Sequence, residues 1–529
     1  MVTDWVVRGL KIVFGAIFLA FFVGQAGAEP DFWGKIDPFL LAESQSGIAE
    51  NEATEVEFLV QMAVQADLSA VAELEGKLAK GTFVYEQLTA VAQQTQAPLL
   101  AQLDELGVDD VRPFWITNMV WVRSNPEILT TIAQRSDVAM LYANPQVALD
   151  VLPPENEFGF NTTATNAVEW NISHIGADLA WSAGFTGQGV VIGGQDTGYD
   201  WDHPALINQY RGWDGNTANH DYNWHDAIHT LNFANICGVD SPEPCDDFGS
   251  SHGTHTMGTM VGNDLASTAE GWPNDAVNAI GVAPGAKWIG CRNMEIGNGT
   301  PASYTECYEW FVAPYPIGGD PMTDGDPAMA PHVINNSWGC PSSEGCSAAT
   351  LESVVNNVRA AGIVTVHSAG NSGPGCGTVD DPAATYPASF TVGATDSGDN
   401  IASFSSRGPS DFDGGLKPDI VAPGLSISST IRVELGSYGL NSGTSMAAPH
   451  VAGLVALLIS ANPSLAGDVD GIEAILRGTA VPLTSSQGCG GDGPTDVPNH
   501  VYGYGRIDAL APILQQFIHK TYLPFSANE

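Results

Sequence analysis

The 529-residue chain carries 60 Asp and Glu against 18 Lys and Arg, a net charge of -42. That length exceeds one ordinary domain, so two or three folded units are expected. Acidity of this size argues against nucleic acids and anionic membrane surfaces as partners, since both are polyanions; a solvated acidic surface accounts for it.

In chain order, Arg8 and Lys11 precede an apolar run from Ile12 to Val23, and Ala26-Gly27-Ala28 offers a small-x-small cleavage motif before Glu29. Residues 1–28 therefore read as a signal peptide, and the run is short for a membrane span. The expectation is a secreted protein with no membrane association after signal cleavage; a retained N-terminal anchor is the alternative. Residues 29–54 are polar and mixed and read as a flexible lead-in.

Residues 55–150 read as a small α/β unit. Phe58 to Met62 is a strand signal, and Leu88 to Leu106 is rich in Ala, Gln and Leu at helical spacing. Arg112 to Ile116 and Met119 to Arg123 are strand signals around Thr117-Asn118. Ser124-Asn125-Pro126-Glu127 starts a helix running through Ile128 to Gln134. Val138 to Tyr142 and Val147 to Leu149 complete the unit. The order strand, helix, strand, strand, helix, strand suggests a ferredoxin-like α+β arrangement. Residues 151–169, rich in Pro, Asn and Thr, read as a linker or processing region.

From Trp170 the texture changes. Apolar β-rich runs at 189–193, 287–290, 332–335, 363–366 and 390–392 alternate with apolar helical stretches. That pattern implies a mostly parallel central sheet with helices on both faces, an α/β fold over residues 170–515. Residues 516–529 read as a C-terminal tail, and Asn298 to Ala330 as a surface insertion near the cleft. All eight Cys lie beyond residue 230, which fits an oxidising compartment. Cys237/Cys245 and Cys340/Cys346 are the closest spaced; sequence alone leaves the pairing open. No C-x-x-C spacing points to zinc.

Sites in open parallel sheets form at the carboxyl ends of strands. One such run stops at Asp196-Thr197-Gly198. Another runs into His367-Ser368-Ala369-Gly370-Asn371. Ser251-His252-Gly253-Thr254-His255 opens a small-residue helix. Gly443-Thr444-Ser445-Met446-Ala447-Ala448-Pro449-His450 opens a helix that is apolar all round and therefore central, with Pro449 read as a first-turn residue. Ser445 alone could be an N-cap, Asp196 a turn residue, and His252 or His255 a packed histidine. Together the set supplies what acyl transfer needs: nucleophile, base, orienting acid and oxyanion donor.

The Asp196-Thr197-Gly198, His252-Gly253-Thr254-His255 and Gly443-to-His450 motifs, in that order, resemble those of the subtilisin-like serine proteases (subtilases, peptidase S8). Residues 402–409 and 421–424 also match. Trp170 to Trp181 and Tyr210-Arg211-Gly212-Trp213 look most like the bacillopeptidase F branch. The resemblance implies a serine endopeptidase acting on protein or peptide substrates through a Ser445 acyl-enzyme. It implies His252 as general base, Asp196 as its orienter and Asn371 as oxyanion donor. Thr444 and Gly443 would help shape the oxyanion site. Ser337, Trp338 and Gly339, with Ser368, Ala369 and Gly370, would bind substrate, Trp338 as an apolar wall. Residues 55–150 would be an inhibitor I9-like propeptide, an intramolecular inhibitor and chaperone cut off around Tyr142 to Leu152 or in the linker. A monomer is expected. The alternative is a catalytically silent subtilase-fold binding protein; the order of the motifs is wrong for a lipase.

No cofactor is required for that chemistry. The family's usual calcium position is held by Ala205 rather than an acid, so no metal ligands are assigned, although acidic loops are compatible with structural calcium. Asp202, Asp246 and Asp247 read as a solvated face, with calcium binding as the alternative. His220, His225 and His229, near Asp221 and Asp226, read as loop histidines, with a zinc site as the alternative, and His255 as a packed one.

Overall fold

The computed structural model describes residues 32–49, 55–152, 167–264 and 278–521. The signal segment, most of the 151–169 region and most of the long loop after the His252 helix lie outside them.

The first unit comprises α1 (Pro38–Ala49), β1 (Val56–Met62), α2 (Lys77–Glu105), β2 (Val111–Phe114), β3 (Met119–Ser124), α3 (Pro126–Ala133) and β4 (Val138–Ala143). Its antiparallel sheet has the order β2-β3-β1-β4, as expected for a ferredoxin-like unit. Asn125 caps α3 by accepting from the Glu127 and Ile128 amides, with Pro126 at the first helical position. The interior holds Phe58, Val60, Leu99, Leu103, Val120, Val122, Leu129 and Leu141.

Three expectations are corrected here. Residues 32–49 are not a flexible lead-in: the Lys35 ammonium donates to the Arg135 and Val138 carbonyls at 2.7 and 2.8 Å, and Leu40 is fully buried. Helix α2 begins eleven residues before Leu88, because its first half buries Val84, Leu88 and Ala92 against the second unit while Leu99 and Leu103 serve the first. Strand β5 (Val147–Ala148) leaves the first unit and joins the second.

The second unit opens with β6 (Ala167–Val168), α4 (Trp170–His174), α5 (Ala177–Ser182), β7 (Val191–Asp196), β8 (Trp224–Asp226) and α6 (His252–Val261). There follow β9 (Asn278–Ala279), β10 (Lys287–Arg292), β11 (Met294–Glu295), β12 (Asn298–Gly299), α7 (Pro301–Val312), β13 (Val333–Asn336), α8 (Glu352–Ala360), β14 (Val364–Ser368), β15 (Phe390–Thr395) and β16 (Ile420–Pro423). It closes with β17 (Ile427–Thr430), β18 (Tyr438–Asn441), α9 (Thr444–Ala461), α10 (Val469–Thr479) and α11 (Ala511–Thr521). Its main sheet, order β16-β15-β14-β13-β7-β10-β8, is parallel throughout. Consecutive strand residues enter opposite cores: Trp288 and Val333 join α6 and α9, while Ile289 and Ile334 join α7 and α8. This two-sided burial makes the strands read as continuous apolar runs.

Further boundaries move. Ala167 and Val168, assigned to the linker, pair with β9, and α11 runs past residue 515 to Thr521. Asn298 to Ala330 is only in part a surface insertion: every residue of α7 is buried, while residues 316–326 are exposed or half-buried. Four disulfides form: Cys237–Cys245, Cys340–Cys346, Cys291–Cys307 and Cys376–Cys489.

Candidate active site

Asp196 ends β7, His252 begins α6, Asn371 lies three residues past β14, and Ser445 sits in the first turn of α9. Gly443, at φ +155°, precedes that turn in backbone space that side chains rarely enter. Helix α9 is long and apolar enough for a membrane span but is buried as the core helix.

Asp196 and His252 are both buried. The Asp196 Oδ1 oxygen and the His252 Nδ1 nitrogen are 2.8 Å apart, and the same oxygen accepts the Thr197 amide at 2.8 Å. The opposite ring nitrogen of His252, Nε2, has no partner among the described residues. A carboxylate on Nδ1 fixes the tautomer that leaves Nε2 as the acceptor. The Ser445 hydroxyl donates to the Ser337 carbonyl at 3.2 Å rather than to His252. Asp196 and His252 are thus directly joined, and Ser445 is not bonded to them here.

Pro449 lies in the second turn of α9, not the first as expected. It has no N–H for the carbonyl four residues back, which is that of Ser445. The Ser337 hydroxyl donates to that carbonyl at 2.9 Å and itself accepts from the Asn335 amide at 2.9 Å. Ser337 therefore holds Ser445 at two points.

The Asn371 side-chain oxygen accepts the Thr444 amide at 2.9 Å and the Thr444 hydroxyl at 3.0 Å, which assigns its NH2 to the other side. That NH2 donates to the Asp150 carbonyl at 3.2 Å. Strand β5, just before Asp150, pairs antiparallel with β12: Val147 opposes Gly299 and Ala148 opposes Asn298. The Leu149 amide donates to the Gly297 carbonyl at 2.7 Å and the Ala148 amide to Glu344 at 3.0 Å. Val147 packs in the same core as Tyr304 and Trp338, whose rings stack at 3.9 Å. Residues 147–150 thus run alongside β12 with the Asp150 carbonyl at the Asn371 amide.

Asp246 and Asp247 are not a solvated face. Buried Asp246 accepts from Thr197 Oγ1 at 3.0 Å, Thr254 Oγ1 at 2.6 Å and the Phe248 amide at 3.1 Å, tying the Asp196 turn to the His252 helix. Burial pushes its carboxyl up. Asp247 pairs with buried Arg292 at 3.4 Å. Asp202 is exposed. His225 and His229 both meet Glu306 at 2.8 Å, and Glu306 also binds Arg112 of the first unit at 2.9 Å. Glu309 accepts the Trp115 and Ile116 amides at 2.6 and 3.0 Å. Its carboxyl lies far above the ordinary range, first through burial. Burial likewise holds His255 down to about 3. Sequence reasoning gave Asp246 no structural role and did not single out Glu306 or Glu309, because their partners come from distant segments.

Among the described residues no group of three His, Cys, Asp or Glu is placed to hold a metal ion. At the family's usual calcium position Ala205 is fully buried, and its amide donates to the His203 ring nitrogen at 3.0 Å, so the residues there do not fit that ion.

A hydroxyl at a helix start, an imidazole joined to a buried carboxylate and an amide aimed at a chain carbonyl are the kinds of group that a serine-type hydrolase uses. The Subtilase family model matches residues 187–505. Bacillopeptidase F of Bacillus subtilis (strain 168) is 36% identical over 449 residues, 82% of this chain but 28% of that protein. An alkaline protease of Alkalihalobacillus alcalophilus is 30% identical over 462 residues, 86% of this chain and 96% of that one. Subtilisin Savinase of Lederbergia lenta is 33% identical over 349 residues, 65% and 98% of the two chains. The chain belongs to the subtilase family of serine endopeptidases. Subtilases need no cofactor for catalysis.

Proposed function

We propose that this chain is the exported, self-processing precursor of an endopeptidase that cleaves proteins through an acyl-enzyme on Ser445. In this reading His252 Nε2 takes the Ser445 proton as the hydroxyl attacks a peptide carbonyl, and Asp196 stabilises the imidazolium that forms. The Asn371 amide stabilises the oxyanion, assisted by the positive end of α9. His252 returns the proton to the leaving amine. Water then attacks the acyl-enzyme by the same route. Ser337, Trp338 and Gly339 form one wall of the cleft, and Ser368, Ala369 and Gly370 the other.

The observation that carries the proposal is the Asp150 carbonyl on the Asn371 amide, with residues 147–150 extended along β12. The first unit acts as a propeptide that fills the cleft and supports folding, and its scissile bond is Asp150–Val151. Its Trp115 and Ile116, fully buried in the second unit's core, fit a chaperone that templates that unit. The mature enzyme acts outside the cell as a monomer. A fluorophosphonate probe tests the chemistry: peptide mass mapping should find one adduct, on Ser445, absent from His252→Ala. Labelling elsewhere, or none, would overturn the assignment.

A further inference from the structure

Asp381 lies between the two walls of the cleft. A Cβ on Gly339 would come within 2.9 Å of its Oδ2, and one on Gly370 within 3.3 Å. Each wall is thus a glycine where the carboxylate stands, and neither puts a side chain between Asp381 and the cleft. Gly370 immediately precedes Asn371, whose amide holds the Asp150 carbonyl, so the carboxylate stands beside the site of the residue preceding the scissile bond.

Asp381 is half-buried and has no ion-pair partner among the described residues. Burial, followed by the neighbouring charges of Asp380, Asp150 and Glu344, pushes its carboxyl up to about 7. A desolvated carboxylate surrounded only by other acids is costly unless a cation arrives to meet it. The described chain supplies none at this position.

We propose that Asp381 is the specificity-determining residue of the cleft and selects substrates with Lys or Arg immediately before the scissile bond. This rests on the reading of Ser445 and Asn371 given above. The ammonium or guanidinium of such a side chain passes between Gly339 and Gly370 and pairs with the carboxylate. Asp150, which occupies that position before the cut, is held there by the pairing of β5 with β12 and by the Asn371 amide on its carbonyl, not by its side chain.

The test compares peptide p-nitroanilides differing only at that residue: Arg, Lys, citrulline (a neutral isostere of Arg) and Phe. Mature wild type and Asp381→Asn are assayed at pH 8, with active sites counted by fluorophosphonate. The expected kcat/KM ratio of Arg over citrulline is about 100 in wild type, collapsing to about 5 or less in Asp381→Asn, because a site built to bind a polar group penalises its absence. A purely structural Asp381 would leave that ratio unchanged. Equal hydrolysis of Arg and citrulline by wild type, or an unaltered ratio in the variant, would overturn the proposal. If Asp381→Asn fails to mature, the wild-type ratio and competition by benzamidine decide: strong competition against the Phe substrate supports a cation site, and none refutes it. Failure of the underlying reading looks different, because wild type would then cleave no substrate or Ser445→Ala would cleave them all.

Discussion

Pro449 and Ser445 are linked by a hydrogen bond that cannot form. The proline has no N–H for the Ser445 carbonyl, and the Ser337 hydroxyl fills that place at 2.9 Å. The irregularity in α9 thus lies one turn from the proposed nucleophile and fastens it to the cleft wall.

Ser337→Ala should therefore destabilise the protein by about 1–3 kcal/mol, the cost of leaving a buried carbonyl unpaired. Pro449→Ala in the same background should recover part of the loss by restoring the intrahelical bond. Calorimetric unfolding midpoints of the two single variants and the double variant check this. Additive effects would contradict the link.

Asn371→Ala should lower kcat by about 10²–10³-fold, the cost known for removing one oxyanion donor from subtilisin. KM should change little, because the donor matters most in the transition state. Steady-state kinetics on one peptide substrate separate the two; a change confined to KM would contradict the role.

Asp246→Ala should cost about 3–5 kcal/mol, since it strands the Thr197 and Thr254 hydroxyls and the Phe248 amide in a buried site and empties its space. The Asp196 turn and the His252 helix would lose their tie. The measurement is the unfolding midpoint of the inactive Ser445→Ala precursor with and without the change. A shift of less than a degree would contradict the tie.

Asp381 gives the precursor a pH dependence whose sign follows from its raised carboxyl. The folded state holds a proton up to about pH 7, while the unfolded group releases it near its ordinary 3.8. The folded state binds more protons between those limits, so this group's contribution to stability falls as pH rises from about 4 through 7 and levels above. Asp381→Asn in the Ser445→Ala precursor should therefore gain stability relative to its parent at pH 8 but not at pH 4. Unfolding midpoints at both values check it, and a pH-independent difference would contradict it. Asp380, Asp150 and Glu344 are the charges that face it.

The parallel sheet was legible in the sequence because its strands are buried on both faces and read as unbroken apolar runs. The four separated motifs were legible because each falls where a strand ends or a helix begins. Strand β8 was not, since Trp224-His225-Asp226 is only three residues long among polar ones. Helix α7 was hidden because its Glu306 and Glu309 make a buried helix look solvated; only Arg112, His225, His229 and the Trp115–Ile116 amides explain them. Asp246 and Asp381 were opaque for the same reason: a carboxylate's partners come from distant segments, and sequence shows only the charge. The docking of residues 147–150 against β12 is a contact across about 150 residues that no local pattern carries.

The central claim is that Ser445 cuts this chain at Asp150–Val151. Intact-mass analysis of exported wild type and Ser445→Ala tests it most directly. Wild type should begin at Val151, and Ser445→Ala should keep the first unit covalently attached. Identical masses for the two proteins would contradict it.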